Sequence, residues 1–468
     1  MIAMTLAEIA GAVSGELHAG DSPDSRVITG LSHTDSREVT PGDIFFAKPG
    51  EVTDGHLFAP QAVQNGAVLL VVDHLLDLDV DQVLVADTVR ALGALATAVI
   101  ARARAAGYLK IIGVTGSNGK TTTKNLLRSI LTPIGSTVAA RESYNNEVGA
   151  PLTMLEVTER TEYLVAEMGA SAIGEIARLV RMAKPDVGIV LTVGLAHAGE
   201  FGGIEATLAA KTEMVSDLDA SGVAVLNRDD ARVASMADKT AANVLWFGLG
   251  AGADVAAYDI VADRTGTAFT LVFPDGARRP VHFGVLGEHH VTNALAAAAA
   301  AHALGVPIDD VVAGLERVTR AERWRMEVLG GSGGVTIIND AYNASPDSMA
   351  AALRTLAQLA QPGTRTVAVL GEMTELGELS GEEHDRIGLL AVRLNIDQLV
   401  VVGAGARRMH ISAIREGSFD GESTFSDTPE HAYELLAETL RPGDLVLVKS
   451  SNAAGLRFLG DRLGELFS

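Results

Sequence analysis

Lys120 and Thr121 close the run Gly113-Val114-Thr115-Gly116-Ser117-Asn118-Gly119-Lys120-Thr121-Thr122, and no other stretch is so plainly suited to chemistry. Glycines free backbone N–H groups to point into a turn. A helix beginning just beyond adds partial positive charge, and the two together cradle phosphate. Lys120 is placed to reach the terminal phosphates of a nucleoside triphosphate, and the Thr121 hydroxyl suits Mg²⁺. Gly116, Ser117, Asn118, Gly119 and Thr122 complete the cradle. Val114 stands where the strict G-x-x-x-x-G-K-[ST] pattern has its first glycine. The reading therefore rests on context: an apolar run from Leu109 to Val114, broken only by Lys110, predicts a buried strand, and Thr121 to Leu131 predicts a helix.

Parallel sheets bind ligands at the carboxyl ends of their strands, so polar residues just past apolar runs are the next candidates. Glu167 closes Tyr163-Leu164-Val165-Ala166, and its carboxylate is placed to share Mg²⁺ with Thr121. A solvated or helix-capping carboxylate is the plainer alternative. His197 follows the strand ending at Val193. Lys211, in Ala209-Ala210-Lys211-Thr212-Glu213, reads by itself as an exposed helical lysine. Asn145-Asn146-Glu147-Val148-Gly149 is a polar loop expected between helical stretches, and Asn227-Arg228-Asp229-Asp230 suits a helix cap or a site equally. Arg325 precedes Asn339-Asp340-Ala341-Tyr342-Asn343-Ala344-Ser345-Pro346, where an Asp, an amide and a Tyr emerge together from a strand. Ser345 and Pro346 also suit the N-cap and first position of a helix.

The elements that must position these residues alternate along the chain. Its 468 residues suggest about three domains. Cuts are expected near residues 108 and 320, giving 1–108, 109–319 and 320–468. The first part mixes short strands (Asp43–Lys48, Ala67–Val72, Gln82–Ala86) with a helix over Ala91–Ala106. In the second, strands at Glu162–Glu167, Val187–Val193, Val223–Leu226 and Val244–Phe247 alternate with helices, the rhythm of a covered parallel sheet. Phe269–Phe273 and Arg279–Val285 flank Pro274-Asp275-Gly276, a hairpin signal, and a buried alanine-rich helix is expected from Thr292 to Leu304. The third part restarts the rhythm at Val335–Asn339, Thr366–Leu370, Gln398–Val402 and Leu445–Lys449. The net charge of −22 argues against a nucleic-acid partner. The lack of cysteine excludes disulfides and thiolate chemistry. No apolar run is long enough for a bilayer, and Met1–Ala12 does not read as a signal peptide. A cytoplasmic monomer is expected.

Taken together and in this order, these stretches resemble the Mur ligases, the ATP-dependent amide-forming enzymes of peptidoglycan synthesis, over nearly the whole chain. The phosphate loop looks like that family's own, which accounts for Val114. Asp340–Pro346 resembles an Asp-Ala-Tyr-Asn-Ala-Asn-Pro motif, Leu370-Gly371-Glu372-Met373-Thr374-Glu375-Leu376-Gly377 a Leu-Gly-Asp-Met-x-Glu-Leu-Gly motif, and Asn145–Pro151 the central asparagine loop. These mark the branch that adds D-alanyl-D-alanine to UDP-N-acetylmuramoyl-tripeptide. The Asp-Tyr-Ala-His-x-Pro motif of the branch adding the third residue is absent. Thr34-Asp35-Ser36-Arg37, Pro41-Gly42-Asp43-Ile44-Phe45 and Asp54-Gly55-His56 look like the uridine-nucleotide-binding domain of the third- and fourth-step ligases.

The resemblance implies an α/β fold of three domains. These are a UDP-binding α/β domain, a central parallel-sheet P-loop ATPase-like domain and a Rossmann-like C-terminal domain. It implies ATP and Mg²⁺ as cofactors, the UDP-linked tripeptide and D-alanyl-D-alanine as substrates, and an acyl-phosphate intermediate. By position, Lys120 would contact the ATP phosphates, and Thr121 and Glu167 would hold its Mg²⁺. His197 would support a second Mg²⁺, and Lys211 matches a lysine that the family carbamylates. His290 and Asn293 would flank the adenine, and Arg325 and Asp340 would reach the nucleotide from the last domain. Ser36 and Arg37 would lie at the UDP-sugar end, Asn146 near the transferred group, and Tyr342 and Asn343 near the dipeptide. Thr192 and Ser345 each replace a usual Asn, and Lys449-Ser450-Ser451-Asn452 replaces Lys-Gly-Ser-Arg, losing a positive charge. The group accepting the amine's proton is not identified. A third-step ligase, a folylpolyglutamate-type ligase and a nucleotide-binding protein without turnover stand as alternatives.

Overall fold

The computed structural model describes residues 1–20, 25–50, 53–140, 143–195, 203–263, 265–319, 322–416 and 421–468. Among them, strands form three large sheets and one two-stranded ribbon. The first large sheet runs, in spatial order, Glu16–His18, Asp81–Leu84, Leu69–Val72, Ile44–Phe46 and Ser32–His33. All neighbours are parallel except the first pair. The helix Thr88–Ala105 follows, capped by Asp87, whose carboxylate accepts from the Val89 and Arg90 amides. It leads directly into the strand that carries the phosphate loop.

The central sheet has nine strands. Seven run parallel: Val255–Asp263, Asn243–Gly248, Val223–Asn227, Val187–Val190, Lys110–Thr115, Tyr163–Glu167 and Thr137–Ala139. The hairpin Gly266–Val272 and Arg278–Phe283 extends it antiparallel, turning at Pro274-Asp275-Gly276. Register decides function here. Lys110–Thr115 lies between Tyr163–Glu167 and Val187–Val190, with Glu167 opposite Val114 and Val190 opposite Thr115. The Glu167 carboxylate therefore leaves the sheet at the edge where the phosphate loop begins. The helix Lys120–Leu131 covers the sheet beside the helix Glu288–Ala303, whose Ala294–Ala301 are fully buried. Methyl side chains let the two helices approach closely, which an alternation of larger residues would prevent.

The third sheet runs Glu327–Gly330, Thr336–Asn339, Leu445–Lys449, Thr366–Leu370, Gln398–Val402 and Glu422–Ser426, parallel after the first pair. Ser345 caps the helix Pro346–Leu359 in a capping box with Ser348, so both helix-start residues serve as expected. No described helix is long and apolar enough to cross a membrane.

Some elements depart from expectation. Val255–Asp263 has no clean alternation in sequence because its register shifts between Tyr258 and Val261. The alanine-rich helix begins at Glu288 rather than Thr292, directly after Gly287 in a left-handed conformation. The asparagine loop follows a strand, Thr137–Ala139, rather than a helix. Pro151 lies in the first turn of Gly149–Leu155, where its missing N–H costs nothing.

Candidate active site

The carboxyl edge of the central sheet faces the carboxyl edge of the third, and a cavity of about 260 Å³ lies between them. Gly119, at φ +84°, closes the phosphate loop in a left-handed conformation, and an added Cβ would strike Asn293 Oδ1. That position requires glycine. Ser117 N donates to Thr192 O at 2.9 Å, and the Gly194 amide donates to Ser117 Oγ at 2.9 Å, tying the loop to the neighbouring strand. Lys120 Nζ donates to Gly116 O at 2.8 Å, folding back over the loop where phosphate would lie. Desolvation lowers the Lys120 pKa, with the Glu167 charge opposing and that of Arg325 adding to it.

Glu167 is buried, not solvated. Its Oε1 accepts from Asn145 Nδ2 at 2.8 Å and from the Thr121 hydroxyl at 3.4 Å. Its Oε2 is buried and accepts no hydrogen bond among the described residues, lying 3.9 Å from the fully buried Lys124 Nζ. A buried carboxylate oxygen without a donor, beside a hydroxyl, suits a hard cation that prefers oxygen.

Three contacts join the central sheet to the third across the cavity. Arg325 donates to Thr121 Oγ1 at 3.3 Å, the Tyr342 hydroxyl lies 3.4 Å from Ser143 Oγ, and Ser345 Oγ donates to Asn118 Oδ1 at 3.1 Å. The Arg325 guanidinium also lies 4.1 Å from the Tyr342 ring centroid. Asp340 is held by Met326 N at 3.0 Å and by the buried Lys449 Nζ at 2.6 Å. Asn343 lines the same cavity, and its carbonyl accepts from Lys449. His290 and Asn293 form the wall beside Gly119, next to a second hollow that also holds Asp229 and Arg354. Burial keeps both His289 and His290 neutral. The His289 pKa falls to about 4, and that of His290 falls well below its ordinary value.

Lys211 is buried on the helix Ile204–Ser216, not exposed as the sequence alone suggests. Desolvation and then the charge of Lys120 lower its pKa to about 7. His197 lies outside the described residues. Asn146, Ser36 and Arg37 are not among the residues lining this cavity. Asn146 Oδ1 instead accepts from the Val148 and Gly149 amides, shaping its own loop. Ser36 is buried and donates to Gln61 Oε1, and the exposed Arg37 grips Asp35, its Nε 2.9 Å from Oδ1. Asn145, Ser143, Lys449 and His289 line the cavity without having been singled out. For Lys449 the signal was present: like Glu167, it is a charge ending an apolar strand.

Arg325 is delivered by a strained turn. Trp324 and Met326 on either side have φ of +62° and +55°, each costing about 1–3 kcal/mol for a side-chain-bearing residue. Asp461 on the helix Leu456–Leu466 offsets this by accepting from Trp324 Nε1 at 3.0 Å, Asn339 Nδ2 at 3.0 Å and Arg323 at 2.9 Å. Asp461→Ala is therefore expected to raise the KM for ATP about tenfold while circular dichroism stays native, since Arg325 loses its fixed aim. An unchanged KM would show that the turn holds without Asp461.

Comparison with known proteins covers the whole architecture. Family descriptions match in three places: the Mur ligase family catalytic domain over residues 28–166, the Mur ligase middle domain over 114–301 and the Mur ligase glutamate ligase domain over 324–452. The UDP-N-acetylmuramoyl-tripeptide–D-alanyl-D-alanine ligase of Mycobacterium tuberculosis is 43% identical, over 99% of this chain and 98% of its own. The enzyme of that name from Escherichia coli is 35% identical, over 97% of each. A crystal structure of MurF from Acinetobacter baumannii superposes with a TM-score of 0.89 at 34% identity, covering 99% of both chains. MurF ligase from Thermotoga maritima in complex with ADP gives 0.80 at 29% identity, over 94% of this chain and 98% of that one. Matched end to end in sequence and in fold, the chain belongs to the Mur ligase family.

Proposed function

We propose that this chain joins D-alanyl-D-alanine to UDP-N-acetylmuramoyl-tripeptide, cleaving ATP to ADP and phosphate, and so forms the UDP-linked pentapeptide of peptidoglycan synthesis. Full-length likeness to ligases of that name supports the reaction. The observation that carries the chemistry is the convergence of Lys120, Thr121 and Glu167 with Arg325 and Asp340 on one cavity between two sheets.

In this reading a carboxylate oxygen of the tripeptide attacks the γ-phosphorus of ATP in line, forming an acyl phosphate and releasing ADP. The neutral amine of the dipeptide then attacks the acyl carbon, and the tetrahedral intermediate expels phosphate as the amine loses its proton. A carboxylate and a triphosphate repel each other. Lys120 counters this as a fixed cation at the terminal phosphates, and Arg325 adds a second charge from the facing sheet. Thr121 and Glu167 would hold Mg²⁺, consistent with a Glu167 Oε2 that accepts no hydrogen bond among the described residues; bound there, the ion would neutralise further phosphate charge. Asp340 and Lys449 hold each other and so fix the loop bearing Tyr342 and Asn343, which we place beside the dipeptide. His290 and Asn293 are placed beside the adenine, and Ser36 and Arg37 at the UDP-sugar end.

Lys211 fits the carbamate role. An amine with a pKa near 7 is substantially neutral at physiological pH and can add to CO₂, releasing a proton and becoming a carboxylate-bearing side chain. That exchange converts a buried cation near Lys120 into an anion able to hold a cation. The contacts between Arg325 and Thr121 and between Tyr342 and Ser143 link the two walls of the cavity, and drawing those walls together over bound substrates would protect an acyl phosphate from water.

The test supplies ATP and pairs each amine with its proper UDP-linked acceptor. The amines are D-alanyl-D-alanine, L-lysine, diaminopimelate and glutamate. ADP release dependent on D-alanyl-D-alanine, with a pentapeptide by mass, supports the proposal. Release with another pair would move the chain to another branch, and none with any pair would leave a nucleotide-binding protein.

A further inference from the structure

The loop 143–148 has cavities on both sides. Asn145 lines the nucleotide cavity, and Glu147 lines a second one of about 650 Å³ between the first sheet's domain and the central one. The helix Glu175–Ala183 provides the opposite wall through Arg178 and Met182, and the start of the helix Thr88–Ala105 contributes Arg90 beside Asp87. Glu147 and Arg178 form an ion pair at 2.6 Å, both half-exposed to the cavity, and Arg90 lies 3.5 Å from Asp87. A funnel for phosphate alone would be basic, and a site for an ammonium alone would be acidic. This cavity carries charges of both signs, Glu147, Asp87 and Asp73 facing in with Arg178 and Arg90, beside a flexible apolar thioether.

Resting on the ligase reading above, we propose that Glu147 and Arg178 form a subsite for the side-chain end of the acceptor's third residue. The subsite is selective for a zwitterionic end over a lone ammonium. The acceptor's reacting carboxylate must sit beside Thr121 and Glu167. Glu147 is two residues from Asn145, which holds Glu167, so the two α-carbons are within about 7 Å of each other. A side chain leaving the reacting carbon can thus pass the loop into this cavity, its methylenes against Met182. Diaminopimelate ends in an ammonium and a carboxylate on one carbon. The Arg178 fork would take the carboxylate and Glu147 the ammonium, exchanging their mutual pair for two pairs with the ligand. Exposed ion pairs are weak, so opening this one costs little. Lysine ends in an ammonium alone, leaves Arg178 without a new partner and is disfavoured.

The experiment uses the full chain with ATP, D-alanyl-D-alanine and two UDP-N-acetylmuramoyl tripeptides, one ending in diaminopimelate and one in lysine. The unaltered protein should show a KM about tenfold lower for the diaminopimelate acceptor. Arg178→Met should raise that KM about tenfold and leave the lysine acceptor's within about twofold, because only the former has a carboxylate to lose. Arg178→Lys should retain part of the preference. Glu147→Gln should raise both, since both acceptors end in an ammonium. Thermal midpoints of all variants are measured alongside to confirm folding. Equal KM values for the two acceptors, or Arg178→Met raising both together, would overturn the subsite. Absence of pentapeptide from either acceptor with the unaltered protein would instead reject the ligase reading, and the subsite with it.

Discussion

Lys120→Ala is expected to reduce pentapeptide formation by about 10²–10³-fold or more, with the fold intact. Lys120 stands at the start of the helix Lys120–Leu131, and its Nζ already lies over the phosphate loop at Gly116 O. That carbonyl is a weak partner for an ammonium whose pKa is lowered chiefly by desolvation. The γ-phosphate supplies the missing negative charge, and the attraction grows as charge shifts toward the leaving oxygen. The effect should therefore fall mainly on kcat. Alanine favours helix, and the strand and helix flanking the loop pack through other residues, so circular dichroism and the thermal midpoint should stay near native. ADP release under saturating substrates checks this. Near-normal turnover would remove Lys120 from the phosphates.

Lys211→Ala should be nearly inactive and partly recovered by acetate or propionate. Lys211 is buried near Lys120, where two ammonium groups would repel each other. Carbamylation removes one of these charges and replaces it with an anion, which reverses the local electrostatics. Alanine leaves a small hollow where the carbamate stood, and a short carboxylate can enter it. Turnover is measured across a series of added carboxylates, with the unaltered protein as reference. Rescue by acetate but not by methylammonium would identify the missing group as an anion. Full activity without any additive would contradict the carbamate.

Much of this was legible in the sequence because the signals were local. The phosphate loop announces itself through a strand, two glycines and Lys-Thr, and the hairpin through Pro274-Asp275-Gly276. Rules about strand ends led to Glu167 and Asp340. What stayed hidden depended on contacts between segments distant in the chain. Lys211 shares the buried face of its helix with Ala210, Met214 and Val215, a local apolar spacing that its own charge outweighed in the reading of the sequence. Nothing near Asn145 tells that it, rather than Asn146, turns toward Glu167; that choice follows from the loop's hydrogen bonds. The role of Asp461 depends on a side chain 137 positions away in sequence. The strand Val255–Asp263 lost its alternation to a register shift, and Glu422–Ser426 is a short, polar edge strand.

The most direct measurement follows oxygen. UDP-N-acetylmuramoyl-tripeptide labelled with ¹⁸O in the α-carboxylate of its third residue, the one that reacts, is turned over with ATP and D-alanyl-D-alanine, and the released phosphate is analysed by mass. Attack of the carboxylate on the γ-phosphorus, with later expulsion of phosphate from the acyl carbon, carries one labelled oxygen into each phosphate. Unlabelled phosphate alongside pentapeptide would mean that the carboxylate never bonded to phosphorus, contradicting the acyl-phosphate chemistry assigned to the Lys120, Thr121 and Glu167 cavity.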